Sequence, residues 1–194
     1  METFFDDQDY ENYIALMSQW CKKYDIDIWA YCLMPNHVHL IAVPQTKEGF
    51  ARGIGEAHRR YTRMINFKKG WKGYLWQGRF ASFPLDQDYL LAAARYVELN
   101  PVRANLAARP EDYRWSSAKA HIVGEDDGLV TVKPLLELVA DWKELLSGVE
   151  EVSYDIMKMH ERTGRPCGSA NFIRRISADL GRDLTLKKRG PKVR

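Results

Sequence analysis

Two histidines, His37 and His39, stand two residues apart in the run HVHLIAV (37–43). On an extended strand that spacing puts both imidazoles on one face, with Ile41 and Val43, while Val38, Leu40 and Ala42 line the other. Two convergent imidazoles suit a divalent metal; the same pattern also serves as a plain pair of surface or core histidines. Tyr96 and Asn100 are four residues apart, one helical turn, so a phenol and a carboxamide share a helix face. A tyrosine becomes a covalent nucleophile when its proton is removed or its target is polarised by a metal. The spacing of Tyr89, Ala93 and Tyr96 is equally that of ordinary packing. A third feature is the block HRRYTRMINFKKGWKGYLWQGRF (58–80), in which Arg59, Arg60, Arg63, Lys68, Lys69, Lys72 and Arg79 alternate with Tyr61, Phe67, Trp71, Tyr74, Trp76 and Phe80. Cations that track phosphates and aromatic faces that stack bases are what a groove for single-stranded nucleic acid needs. Tyr61 and Phe80 are expected to belong to the core instead.

The elements that must hold these residues follow from periodicity. Tyr10, Tyr13, Ile14, Met17, Trp20, Cys21 and Tyr24 have helical spacing, with Asp6 or Asp7 as N-cap. IDIWAYCL (26–33), the turn at Met34-Pro35-Asn36 and HVHLIAV (37–43) predict a β-hairpin. Residues 47–67 return to helical period and Gly70 and Gly73 break it. RFASFPL (79–85) reads as a short strand ending at Pro84. Asp86 is expected to cap a helix over DYLLAAARYVELN that Pro101 closes. Short helical pieces follow around 102–106 and 115–121. VGEDDGLVT (123–131) reads as a linker, 132–147 and 153–161 as helices, and TGRPCG (163–168) as a loop. Ser169 caps a helix ending at Gly181, and LTLKKRGPKVR is a basic tail. The predicted organisation is a first domain over 1–122, a linker over 123–131 and a helical basic region over 132–194. The fold class is α+β: a ferredoxin-like antiparallel sheet with helices on one face, opening on a helix where such folds open on a strand.

The chain has 194 residues, with 45% hydrophobic and 28% charged, which excludes a disordered polymer and accommodates one domain plus an appendage. No apolar run approaches a membrane span, and the acidic opening METFFDDQDYE is unlike a signal peptide. Cys21, Cys32 and Cys167 are too few and too scattered for a disulfide framework or a zinc knuckle. The expectation is a soluble, reduced, cytoplasmic protein. The net charge of +3 conceals an asymmetry: residues 51–80 carry +7, residues 171–194 carry +6 and the other 140 carry −10. Two basic blocks on an acidic chain point to a polyanion, most naturally nucleic acid.

AYCLMPNHVHLIAVP (30–44), YLWQGRFASFPLDQDYLL (74–91) and RYVELNPVRANLAARPEDYRWSSAKAH (95–121) together resemble the REP-associated tyrosine transposases, members of the single-tyrosine His-hydrophobe-His transposases. The resemblance covers about residues 1–121, and GRPCG…FIRRISADLGR…KKRG is also typical of many members. It implies that His37 and His39 are metal ligands with Val38 as the intervening hydrophobe. It further implies that Tyr96 is the nucleophile and that Asn100 is a third metal-contacting side chain. The implied activity is nicking and rejoining of single-stranded DNA beside hairpin-forming repeats, with Mg²⁺ or Mn²⁺, through a 5′-phosphotyrosine. A nucleoid-associated homodimer is expected. The implied DNA-binding set is Arg59, Arg60, Arg63, Lys68, Lys69, Trp76, Arg79 and Arg103.

Members of that family usually open with a strand carrying a His-x-x-x-Arg-Gly-like segment, which this chain lacks. Such a strand is central in the sheet. Its place would be taken by residues upstream of Met1, or by another segment or subunit, or the copy is degenerate. The competing reading is therefore a truncated relative that binds repeat hairpins without cutting them. A weaker third reading is an RNA-binding domain of similar topology.

Overall fold

The computed structural model describes residues 2–78, 80–148 and 153–185. Arg79 and the basic residues 186–194 lie outside the described residues. Helix α1 (Asp7–Lys23) starts where the Asp6 carboxylate accepts from the Asp9 N–H, with Asp7 and Asp9 in its first turn and Lys22 and Lys23 in its last, each favoured by the helix dipole. The hairpin follows as expected: β1 (Ile26–Met34) pairs antiparallel with β2 (His37–Pro44), Met34 opposite His37, with a bulge between Ile28 and Ala30. Helix α2 (Lys47–Lys69) is capped by Thr46 and ends at Gly70, whose φ of 66° is left-handed and open to glycine at little cost. The remaining elements are α3 (Gln87–Arg103), a 3₁₀ turn (Pro110–Asp112), α4 (Ala118–Val123), α5 (Lys133–Leu136), α6 (Trp142–Ser147), α7 (Ser153–Thr163) and α8 (Ala170–Asp179).

Alternate residues of the hairpin enter two different cores. Ile28, Tyr31 and Leu33 of β1, with Val38, Leu40 and Ala42 of β2, pack with α1 and α2 around Tyr13, Met17, Ile54 and Tyr61. Ala30, Cys32, Met34 and Ile41 pack instead with Ala93, Ala94, Tyr96 and Val97 of α3 and with Trp142, Met157 and Cys167 beyond it. Helices thus cover both faces of the hairpin, correcting the expectation of helices on one face. The reason is that both faces of β1 are apolar, and a strand apolar on both faces must be covered twice.

Three further expectations are corrected. Residues 80–85 form no strand: their one bridge is Leu85 with Cys167, and the sheet has two strands among the described residues. Pro84, which has no N–H to donate, stands inside that stretch. Pro101 does not close α3; the helix runs through it to Arg103, because the ring forfeits only the bond to the Val97 carbonyl and the last turn is resealed by Ala104 N–H to Asn100 O at 2.9 Å. The predicted helix over 132–147 is two short ones, since the Asp141 carboxylate accepts from Lys143 and Glu144 N–H and starts α6 afresh.

The outer edge of β1 is met by loops: Leu33 N–H donates to Trp115 O, Ser117 N–H to Tyr31 O and Thr131 N–H to Ile28 O. The segment 123–131 therefore packs on the hairpin as well as connecting, and the Tyr31 hydroxyl donates to Asp127 at 2.6 Å. The other edge of β2 has no strand beside it among the described residues.

Candidate active site

The tight turn at Pro35-Asn36 delivers His37 as the first residue of β2, and the pleat returns His39 to the same side. Their Nε2 atoms lie 3.0 Å apart, with the rings nearly perpendicular. On the far side of each ring an oxygen holds Nδ1: Asn36 Oδ1 at 2.5 Å from His37, and Glu161 Oε1 at 3.3 Å from His39. Oxygens of this kind only accept, so a proton on Nδ1 of each ring would be matched by its neighbour and would leave the Nε2 lone pairs facing each other. Burial pushes His39 down to about 3, with His37 and Arg103 adding to it, and partial burial lowers His37 too. Neutral imidazoles whose Nε2 atoms converge fit a divalent cation. Among the described residues no group of three or more His, Cys, Asp or Glu side chains is assembled to hold a metal. A cation at this pair would draw its remaining ligands from other groups, substrate or water.

Tyr96 comes from the opposite layer. It is buried on α3, its ring edge-on to His39 with centroids 5.6 Å apart, and its hydroxyl donates to Glu161 Oε2 at 3.1 Å. Burial pushes the phenol well above its ordinary value, the Glu161 charge adds to this, and the Asn100 side chain opposes it. The Asn100 amide donates to the Tyr96 carbonyl at 3.1 Å, and Arg103 Nη1 donates to the same carbonyl at 2.9 Å. The Arg103 guanidinium lies over the rings of Tyr96 and Tyr154.

Two devices fix these parts. Glu98, two residues past Tyr96 and fully buried, accepts from Ser117 Oγ and His121 Nδ1, both at 2.6 Å, and from Trp142 Nε1 at 2.8 Å, tying α3 to α4 and α6. The loop after α7 grips the start of α3: Cys167 N–H donates to Pro84 O, Asp86 N–H to Cys167 O and Ser169 Oγ to Asp86 Oδ2. A Cβ on Gly168 would fall 2.6 Å from the Asp86 Cβ, so only glycine permits this approach.

His37, His39 and Tyr96 line one cavity of about 1140 Å³ that runs along β2. Phe50 and His58 of α2 and the aromatics Tyr74, Trp76 and Phe80 form its far wall. Trp76 stacks on His58 with centroids 4.4 Å apart; Tyr61 is fully buried and Phe80 packs on Phe50, as expected of core residues. Phe67 and Tyr74 are almost fully exposed. The cations of the basic block differ in their surroundings. Arg59 and Arg60 both bind Glu56, whose carboxyl Arg59 above all holds down at about 2. Lys68 is bound to Asp6 and Asp9, Lys69 lies over the Phe5 ring, and Arg63 is exposed on α2.

The structure therefore brings His37, His39 and Tyr96 together, keeps Asn100 and Arg103 on the Tyr96 turn and spreads the basic residues over α2. It also adds Glu161, which sequence reasoning did not find. Glu161 is 65 residues beyond Tyr96 in an amphipathic helix, and no spacing rule reaches across that distance.

The family model described as "Transposase IS200 like" matches residues 2–100. A protein of Haemophilus influenzae, provisionally named a REP-associated tyrosine transposase, is 29% identical over 136 residues, covering 62% of this chain and 77% of its own. No solved structure matches the chain. No helix among the described residues is long and apolar enough to cross a membrane.

Proposed function

This chain belongs to the IS200-like transposase family, and on that premise we propose that it nicks and rejoins single-stranded DNA beside hairpin-forming repeats, with Tyr96 as nucleophile. The observation that carries the reading is the placement of a buried phenol edge-on to two converging imidazoles, all in one chain and opening on one large cavity. Residue types that are individually common become specific when they meet in that way.

Tyr96 Oη gives up its proton to water and forms a bond to phosphorus in line with the bond that breaks, and the 3′ oxygen departs and takes up a proton. The product is a 5′-phosphotyrosine and a free 3′-hydroxyl. The ester energy stays in the new bond, so a second 3′-hydroxyl reverses the step and joins strands without ATP. His37 and His39 would hold Mg²⁺ or Mn²⁺ through their Nε2 atoms, and such an ion supplies charge neutralisation at a non-bridging phosphate oxygen. Asn100, one turn from Tyr96, is the further side chain assigned to that site.

The DNA lies along α2 and the cavity. Arg59, Arg60, Arg63, Lys68 and Lys69 offer cations along α2, Trp76 offers an aromatic face in the cavity wall, and Arg103 stands beside Tyr96. Arg79 is assigned to the same surface by sequence alone. A homodimer would carry two such sites, each with its own tyrosine. The compartment that fits is the cytoplasm, at the nucleoid.

The test is a cleavage assay on labelled single-stranded repeat-hairpin DNA with Mn²⁺, read as a covalent adduct on a denaturing gel. The adduct is expected with the native chain and lost with Tyr96→Phe or EDTA. An adduct that survives Tyr96→Phe removes the nucleophile assignment. Tight hairpin binding with no adduct leaves the binding-only relative.

A further inference from the structure

We propose that Glu161, on α7, is a positioning residue that holds His39 and Tyr96 in register. The inference rests on the metal-assisted reading above and extends it to the C-terminal region. Glu161 has one carboxylate oxygen at 3.3 Å from His39 Nδ1 and the other at 3.1 Å from the Tyr96 hydroxyl. A single side chain thus spans the two halves of the site, one from the hairpin and one from α3.

The side of the ring that it touches decides between two roles. A carboxylate against Nε2 would sit where a cation must go and would block the site. Glu161 is on Nδ1 instead, the opposite nitrogen, so it leaves the convergence point of the two Nε2 atoms clear. An imidazole whose N–H is held by a carboxylate is fixed in tautomer and in rotation, and its other nitrogen is a better ligand for it. At the other end, a hydroxyl that donates its hydrogen to a carboxylate keeps its oxygen lone pairs turned away from that partner, towards the groove.

Glu161 reaches this place because its own helix is anchored. The His160 ring donates its Nδ1 hydrogen to the Arg165 carbonyl, 2.9 Å away, and packs near Phe83. The 163–169 loop then fastens to Pro84 and Asp86 at the start of α3. Tyr154, one face of the same helix, lies 5.5 Å from the Tyr96 ring. The helix is packed on the nucleophile helix along its length, and Glu161 is the residue from it that meets both reactive groups.

The experiment measures Mn²⁺ binding to the full chain by calorimetry without DNA, and adduct formation at saturating Mn²⁺. The variants are Glu161→Gln and Glu161→Ala, with His39→Ala as the control that locates the binding. Thermal melts confirm that each variant folds. Loss of the carboxylate is expected to weaken Mn²⁺ by about 10–100-fold, and to leave the adduct slower even when the metal site is full, because Tyr96 has lost its holder. An Mn²⁺ affinity or a saturated adduct rate unchanged within about twofold overturns the dual role, as does tighter Mn²⁺ binding, which would mark Glu161 as a blocking group. If the native chain itself binds Mn²⁺ and yet forms no adduct, the nuclease reading fails while the affinity comparison still judges Glu161's hold on His39. If the native chain binds no Mn²⁺, both fall.

Discussion

Lys68 Nζ lies 2.7 Å from Asp6 Oδ2 and 2.6 Å from Asp9 Oδ1, and Asp9 is buried, with its other oxygen accepting the Phe5 N–H at 3.0 Å. A sequence shows the charge of Lys68 and hides these two acidic partners. Its neighbour Arg63, on the same helix, is exposed to solvent. The two should behave differently. Lys68→Ala strands a buried carboxylate and should lower unfolding stability by about 1–3 kcal/mol, seen as a lower denaturation midpoint. Arg63→Ala should leave stability within about 0.5 kcal/mol. It should weaken hairpin DNA binding and reduce the salt slope of the affinity by about one. Equal losses of DNA affinity with no stability change in Lys68→Ala would show that the Asp9 pairing is inconsequential.

Helix α3 is the element on which the site depends, since it carries Tyr96 on one side and Glu98 two residues later. The Glu98 carboxylate is fully buried and has three donors from α4, its N-cap and α6, so its removal takes this acceptor from Ser117, His121 and Trp142. Glu98→Ala should cost about 3–5 kcal/mol by chemical denaturation, and a loss below about 1 kcal/mol would contradict the network. Much of this helix is legible in sequence: Asp86 caps it, the apolar spacing marks it, and Tyr96 shares a turn with Asn100. The hairpin is legible for the same reason, because alternation and a Pro-Asn turn are local signals. What eluded sequence is long-range. Pro101 reads as a stop, but a proline one turn from a helix end costs one bond. Residues 80–85 have strand composition, but a strand needs a neighbour to pair with. Glu161 enters the site only through tertiary packing of α7 on α3, which leaves no periodic mark.

At the scale of the whole molecule, the cavity along β2 gathers three histidines, His37, His39 and His58, into one groove. Burial holds His58 down to about 4 and His39 to about 3, so both are neutral in the folded chain at pH 7. In the unfolded chain each returns to about 6.5. Below that value the unfolded state binds more protons than the folded one, so stability is complete above pH 6.5 and declines as pH falls towards 4. By pH 4.5 the His58 contribution lost is about 2–3 kcal/mol. Replacing this ring with a non-titrating one of similar shape, His58→Phe, gives up the 2.8 Å contact with the Tyr13 hydroxyl but keeps the stack on Trp76. The variant should be less stable than the native chain at pH 7 and should lose less on acidification, giving a shallower curve of unfolding free energy between pH 6.5 and 4.5. Parallel curves for the two proteins would place the titration elsewhere.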